Sequence, residues 1–282
     1  MTDTRTRRAV ISAERLLEEL ERGRDVVLLE VGRESPHAPG PEERLPGAHY
    51  VDLPTELAGP RRPGSGNHPL PDPDALQQRV RSWGIDEDSL VVVHTRAEAS
   101  LAARGWWILA WAGVPDVRYL DGGVGAWIAA GGRLGGGRPS GRDGRFTVTP
   151  GSMPTLDADG AARLARTGRL LDARQAAAYT GEPGGPGGPG GGHIPGALSL
   201  PGAANLGADG LLEGPEDLRE RYAALGVAEG TGTGLYCGGG VAATLGVLAL
   251  TTIGVPAALY PGSWSEWSSD PTRPVATGEQ PG

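Results

Sequence analysis

Cys237 is the only cysteine in 282 residues, which excludes an intrachain disulfide and any CxxC zinc or redox pair. Two readings remain for it, a small buried hydrophobe or a reactive thiol. Its setting is the segment GLYCGGGVAATLGVLALTTIG at 234–254. Leu235 and Tyr236 end a strand run, Cys237 follows at once, three glycines come next, and an apolar helical run begins near Val241. Glycines have no Cβ to obstruct a turn in which successive N–H groups point at one centre. The amides of Gly238, Gly239, Gly240, Val241 and Ala242 then form an anion cradle at the positive end of the following helix. Such a cradle favours a charged, nucleophilic sulfur over a neutral one. Ligands also collect at the carboxyl ends of strands in parallel α/β sheets, which is where this thiol falls.

Several other chemistries are excluded or weakened by composition. All 26 basic residues are Arg, so Schiff-base catalysis and a Walker lysine are ruled out. No GxGxxG or GKS/T spacing accompanies the glycines. A cysteine-dependent phosphatase needs an arginine six residues after its nucleophile to grip the phosphate, and that position is Ala243. A net charge of −8 with scattered arginines opposes nucleic-acid binding. No run approaches the length of a membrane span, and MTDTRTRRAV leads into the charged, helix-like ISAERLLEELERG, so the expectation is a cytoplasmic protein with no membrane partner. No metal and no organic cofactor is called for.

The elements that must position Cys237 occur twice. The first half runs VVLLEVG at 26–32, LPGA at 45–48, LVVVHT at 90–95, a Trp-rich helix near 99–112, and GVPDVRYLDGG at 113–123. The second runs RLLDAR at 169–174, IPGA at 194–197, GLYCGGG at 234–240, an apolar helix near 241–253, and GVPAALYPGS at 254–263. Continuous aliphatic runs joined by helices predict parallel sheets covered on both faces. The expected fold is therefore α/β, two domains over 1–150 and 151–282, each a parallel sheet flanked by helices. PEDLRERYAALGV at 215–227 predicts a helix opened by Pro215 and closed by Gly226, with Leu218, Tyr222 and Leu225 on its buried face. GGRLGGGRPSGRDGR at 131–145 reads as an exposed connection, and GEPGGPGGPGGG at 181–192 as a weakly ordered insert.

LLDAR at 170–174, GHIPGA at 192–197, the YCGGGV loop, LYPGSWSEW at 259–267, LPGAHYVDL and YLDGGVGAW together resemble the tandem-domain rhodaneses, the thiosulfate and 3-mercaptopyruvate sulfurtransferases. The resemblance covers nearly the whole chain. It implies two rhodanese-like domains, the first without a cysteine, and Thr95 stands where Cys237 stands in the second. It also implies that Cys237 takes a sulfur atom from a small donor as a persulfide and passes it to a thiol or cyanide acceptor.

Departures bear on the donor. Gly238 and Gly239 replace the Arg and Lys that follow the cysteine in the thiosulfate type. Gly239 and Ala242 replace the Ser and Thr of the mercaptopyruvate type, and Ala178 and Gly184 stand where that type has arginines for the substrate carboxylate. Losing two charge-assisted hydrogen bonds, each worth about 1.5–3 kcal/mol, weakens an anionic donor unless another arginine substitutes. Arg174 is the first choice for that substitute, against a structural pairing with an acidic neighbour. Asp52 and His68 match an acid and a histidine that assist in the mercaptopyruvate type, against solvated loop residues. Trp264 and Trp267 follow a strand and are candidates for a wall of the site, whereas His193 reads as a structural corner and Trp106, Trp107 and Trp111 as core or domain interface. The missing side chains also leave open a second function, a rhodanese-like module that carries sulfur or binds a partner with little turnover of small donors.

Overall fold

The computed structural model describes residues 9–33, 40–135, 137–182 and 191–282. The chain divides into two compact units. Unit 1 comprises residues 1–59, 70–153 and 208–212, and unit 2 comprises 60–69, 154–207 and 213–282. The main changeover after Met153 is accompanied by two short exchanges, 60–69 and 208–212, which one cut in the sequence does not describe.

Unit 1 is built on strands β1 (Val10–Ile11), β2 (Val26–Gly32), β3 (His49–Asp52), β4 (Leu90–His94) and β5 (Val117–Leu120). They pair in the order β1-β5-β4-β2-β3, every pair parallel. The central β4 is fully buried, which is why LVVVH shows no polar alternation. Its helices are α1 (Ala13–Glu21), α2 (Leu53–Glu56), α3 (Pro73–Ser82), α4 (Ala99–Trp111) and α5 (Gly123–Ala129). Caps set the starts: Ser12 accepts from the Arg15 amide, and Asp72 accepts from Asp74 and Ala75 ahead of Pro73. Trp106, Trp107 and Trp111 are buried in α4, with Trp107 and Trp111 stacked at 6.4 Å between centroids.

Unit 2 repeats the plan with β6 (Arg169–Asp172), β7 (Leu198–Ser199), β8 (Thr233–Tyr236) and β9 (Ala258–Leu259), all parallel in the order β7-β6-β8-β9. Thr155 bridges Leu259 in parallel, the place that β1 takes beside β5 in unit 1. The helices are α6 (Ala158–Thr167), α7 (Ala176–Thr180), α8 (Pro215–Ala224), α9 (Ala242–Thr252) and α10 (Ser263–Trp267). Two parallel sheets flanked by helices are thus the α/β fold expected. In α8, Leu218 and Tyr222 are buried as the spacing predicts, while Leu225 caps the helix half-buried.

Residues 131–135 and 137–145 have no regular structure and are mostly exposed, as expected of a connection. Their carboxyl end is nonetheless anchored: the Gly144 amide donates to Arg81 O, the Arg145 amide to Asp86 Oδ1, and Arg142 pairs with Asp86 at 2.6 Å. Phe146 is buried just beyond it. Backbone bonds to unit 1 offset an ordering cost that composition alone makes too large. The weakly ordered insert expected at 181–192 lies mostly at 183–190, outside the described residues, and Gly184 falls there. No described helix is long and apolar enough to cross a membrane.

Candidate active site

Cys237 leaves the carboxyl end of β8, and α9 starts five residues later. Its residue surface is 2% exposed, whereas Gly238 and Gly239 are half-buried, so the loop meets solvent through its glycines. Cys237 counts among the buried core residues, and its neighbours Tyr236 and Trp264 pack in an apolar cluster of unit 2.

The loop is held by its carbonyls. Cys237 O accepts from the Trp264 amide at 2.8 Å and Gly238 O from the Ser265 amide at 2.9 Å. Gly239 O faces His68 Nδ1 at 3.1 Å, so the ring donates from Nδ1 there. Val241 O accepts from the Thr244 amide and, at 2.7 Å, from its hydroxyl. In a planar trans peptide the N–H of the next residue points opposite to the carbonyl. Carbonyls drawn toward α10 and toward residues 66–68 therefore turn the amides of Gly238, Gly239 and Gly240 the other way. Among the described residues the amides of Gly238, Gly239 and Val241 donate to no protein oxygen. Gly240 sits at φ +77°, the left-handed region that lets the loop close before α9.

Two contacts fix the loop further. The Cys237 amide donates to Ser263 Oγ at 3.1 Å, and Ser263 donates on to Tyr260 O at 2.9 Å. The segment 66–68 lies against Gly239 so closely that a Cβ there would sit 2.9 Å from Asn67 Cβ and 3.1 Å from His68 Nδ1. Asn67 in turn donates its amide to Ser265 Oγ.

The other sequence candidates fall as follows. Arg174 is buried and paired with Asp172, Nη2 to Oδ2 at 2.6 Å; it also donates to Gly192 O and lies over the Trp264 ring at 4.4 Å. Burial opposes its charge, but the Asp172 carboxylate outweighs that and holds the guanidinium above its ordinary range. Trp264 is nearly buried beneath this arginine, and Trp267 is buried with Nε1 on Pro274 O. His193 is fully buried, stacked on Tyr179, and turns its ring nitrogens to Tyr179 O and Pro281 O, as a structural corner would. Asp52 belongs to unit 1, where its carboxylate takes the Thr55 hydroxyl at 2.7 Å. Thr95 is buried there too and gives its hydroxyl to Val31 O. Sequence reasoning missed the work of Ser263 and Asn67. Neither Ser263 nor Asn67 carried a chemical signal of its own, and only their hydrogen bonds, Ser263 to Cys237 and Tyr260 and Asn67 to Ser265, reveal it.

The Rhodanese-like domain family description matches the chain twice, over residues 12–130 and 157–270. The chain belongs to the rhodanese-like family. A Pseudomonas aeruginosa protein named as a probable 3-mercaptopyruvate sulfurtransferase is 44% identical over 244 residues, 84% of this rhodanese and 86% of the relative. The 3-mercaptopyruvate sulfurtransferase of Escherichia coli K12 is 31% identical over 252 residues, covering 84% and 88% of the two chains. The crystal structure of SseA from Escherichia coli, described for the "Rhodanese" fold and catalytic mechanism of 3-mercaptopyruvate sulfotransferases, matches with a TM-score of 0.77 at 26% identity, over 91% of this chain and 99% of that one.

Proposed function

We propose that this rhodanese is a sulfurtransferase that moves a sulfane sulfur from a small donor, 3-mercaptopyruvate or thiosulfate, to a thiol or cyanide through a persulfide on Cys237. The observation that carries the reading is the set of loop amides, Gly238, Gly239 and Val241, left without protein acceptors around the one cysteine. The names of the 44% and 31% identical relatives support the same class of reaction.

In the first step the Cys237 thiolate attacks the outer sulfur of thiosulfate, a sulfur–sulfur bond forms, and sulfite leaves with the electron pair of the bond it loses. With 3-mercaptopyruvate the attack falls on the thiol sulfur, the carbon–sulfur bond breaks, and the departing enolate takes up a proton as pyruvate. The persulfide anion gains from the same amides as the thiolate. Cyanide then attacks the terminal sulfur, thiocyanate leaves, and the thiolate returns; a thiol acceptor leaves as its own persulfide. His68 is proposed as an assisting group. The Nδ1 bond of His68 to Gly239 O favours a positioning role, steadying the peptide whose N–H belongs to Gly240. Arg174, committed to Asp172, is not offered as the donor's cation.

The test is the intact mass of the protein after incubation with each donor. One added sulfur atom on the wild type and none on Cys237→Ser is the expected result. No added sulfur on the wild type from either donor would sink the reading.

A further inference from the structure

We propose that Gly238 sets the size of the sulfur acceptor: the space it leaves clear beside Cys237 admits a bulky thiol, a cysteine carried on a peptide or protein chain. The inference rests on the sulfurtransferase reading and names the acceptor class.

The two units show what a side chain beside the nucleophile position does. By strand register Glu30 lies opposite His94 and Asp172 opposite Tyr236, so Thr95 corresponds to Cys237, Arg96 to Gly238, and Gly32 to Arg174. Each buried carboxylate is neutralised by an arginine, but the arginine comes from a different place. In unit 1 it is Arg96, which reaches from the loop back to Glu30 and donates also to Glu43 O. The Tyr50 hydroxyl lies where a Cβ on Gly32 would stand. Glu30, Gly32, Tyr50, Thr95 and Arg96 then close round a space of about 10 Å³, no more than one water occupies. The loop side chain and Thr95 thus border the same space, and the side chain helps to stop it up.

In unit 2 the arginine comes from the end of β6 instead. Arg174 holds Asp172 and lies over the Trp264 ring, so the loop is relieved of that task. A Cβ on Gly238 would meet nothing within 4 Å, and the residue is half-buried, whereas Tyr236 on the other side of Cys237 is fully buried. Gly239 offers no such opening, because Asn67 and His68 wall it. The clear side of the nucleophile is the one at Gly238.

That space matters most to a large acceptor. Cys237 is 2% exposed, so an acceptor must bring its sulfur down to the level of the loop. Cyanide, with two atoms, needs no lateral room, but a cysteine in a chain brings backbone on both sides. Consecutive Cα atoms lie about 3.8 Å apart, so a side chain at 238 would stand in the path of that backbone. In the transfer the acceptor thiolate attacks the outer sulfur of the Cys237 persulfide, and the bond from that sulfur to Sγ breaks. Sγ leaves with the electron pair as the thiolate, and the acceptor departs as a persulfide with the proton that the outer sulfur held.

The experiment compares wild type, Gly238→Ala and Gly238→Leu, with cyanide and a short unstructured peptide containing one cysteine as acceptors. Cys237 is first loaded from thiosulfate or 3-mercaptopyruvate, and the readout is the rate of transfer to the peptide relative to cyanide. Gly238→Leu is expected to lower that ratio at least about tenfold and Gly238→Ala about threefold, because the added clash falls on the larger acceptor. A second readout needs no persulfide: the rate of Cys237 alkylation by a maleimide-bearing peptide relative to N-ethylmaleimide should fall in the same order. Ratios within about twofold of wild type in both variants overturn the proposal. So does a wild type that passes sulfur to cyanide but not to the peptide. Should Gly238→Leu fail to fold, Gly238→Ala decides. If the wild type accepts no sulfur, the sulfurtransferase reading fails, and the alkylation ratio alone then decides whether Gly238 admits a bulky partner.

Discussion

At Gly240 the backbone lies at φ +77°, where a Cβ costs roughly 1–2 kcal/mol. Gly239 lacks that constraint but is walled by Asn67 and His68, whereas a Cβ on Gly238 would meet nothing within 4 Å. Alanine substitutions should therefore separate three residues that read identically in sequence. Gly238→Ala is expected to leave the unfolding midpoint unchanged or slightly raised, Gly239→Ala to lower it by displacing the 66–68 segment, and Gly240→Ala to lower it by about 1–2 kcal/mol. Denaturant titration of the three variants checks the order, and equal losses at 238 and 240 would refute it. A second residue-scale lesson concerns Arg174. Strand register matches Asp172, opposite Tyr236, to Glu30, opposite His94. Glu30 is buried and paired with Arg96, just as Asp172 is paired with Arg174. Each unit thus holds one buried carboxylate at this strand position and needs one arginine to neutralise it, because an unpaired charge there would be costly. That common need accounts for the pairing in both units.

The element that organises the loop is α10, short as it is. Its first amides take the carbonyls of Cys237 and Gly238, and the Ser263 hydroxyl joins the Cys237 amide to Tyr260 O. Ser263 is fully buried and the only described non-glycine residue at positive φ, +57°, so its backbone strain is tolerated for those bonds. Ser263→Ala leaves a buried amide and a buried carbonyl short of a partner, a cost of about 1–3 kcal/mol. It should also loosen the cradle, with up to about a hundredfold lower kcat/KM for sulfur transfer. Ser263→Gly loses the same bonds but relieves the left-handed strain, so it should be the more stable of the two by about 1 kcal/mol. An alanine variant as stable and active as wild type would remove this role from Ser263. The strand, loop and helix around Cys237 were legible because aliphatic runs and glycines carry their own geometry. The role of α10 was not, because a serine's bond to an amide 26 residues upstream leaves no trace in local pattern. For the same reason the seating of 66–68 on Gly239 was invisible: nothing in RRPGSGN specifies which unit it packs on. The helix at 215–227 was readable from its proline and periodicity, yet its last expected core residue, Leu225, became the cap once the helix stopped at Ala224. The exposure of 131–145 was legible, but its anchoring was not, because Gly144 and Arg145 bond to Arg81 and Asp86, far away in sequence.

Across the whole molecule the two units share one strand order and diverge at the end of the central strand, where Tyr236–Cys237 in unit 2 occupies the position equivalent to His94–Thr95 in unit 1. Thr95 commits its hydroxyl to the backbone, which leaves unit 1 without a nucleophile at that point. His94 carries a different consequence. It is fully buried, and both ring nitrogens lack a hydrogen-bond partner among the described residues, whereas the Tyr236 hydroxyl accepts from the Ile194 amide. Burial first, and then the charge of Arg96, which pairs with the adjacent Glu30, push the His94 imidazole down to about 3. In the unfolded chain the same ring titrates near 6.5, so between pH 6.5 and 3 the unfolded state binds a proton that the folded state refuses. Stability from this group is complete above pH 6.5 and is lost as pH falls toward 3, by at most on the order of 5 kcal/mol. His94→Leu removes both the refusal and two unsatisfied nitrogens. It should be as stable as wild type or more so at pH 7, and it should lose distinctly less stability on acidification to pH 4. Tryptophan emission is the suitable readout, since Trp83, Trp106, Trp107, Trp111 and Trp127 all lie in unit 1 and only Trp264 and Trp267 in unit 2. Parallel losses of stability in the two proteins between pH 7 and 4 would show that the acid sensitivity of unit 1 arises elsewhere.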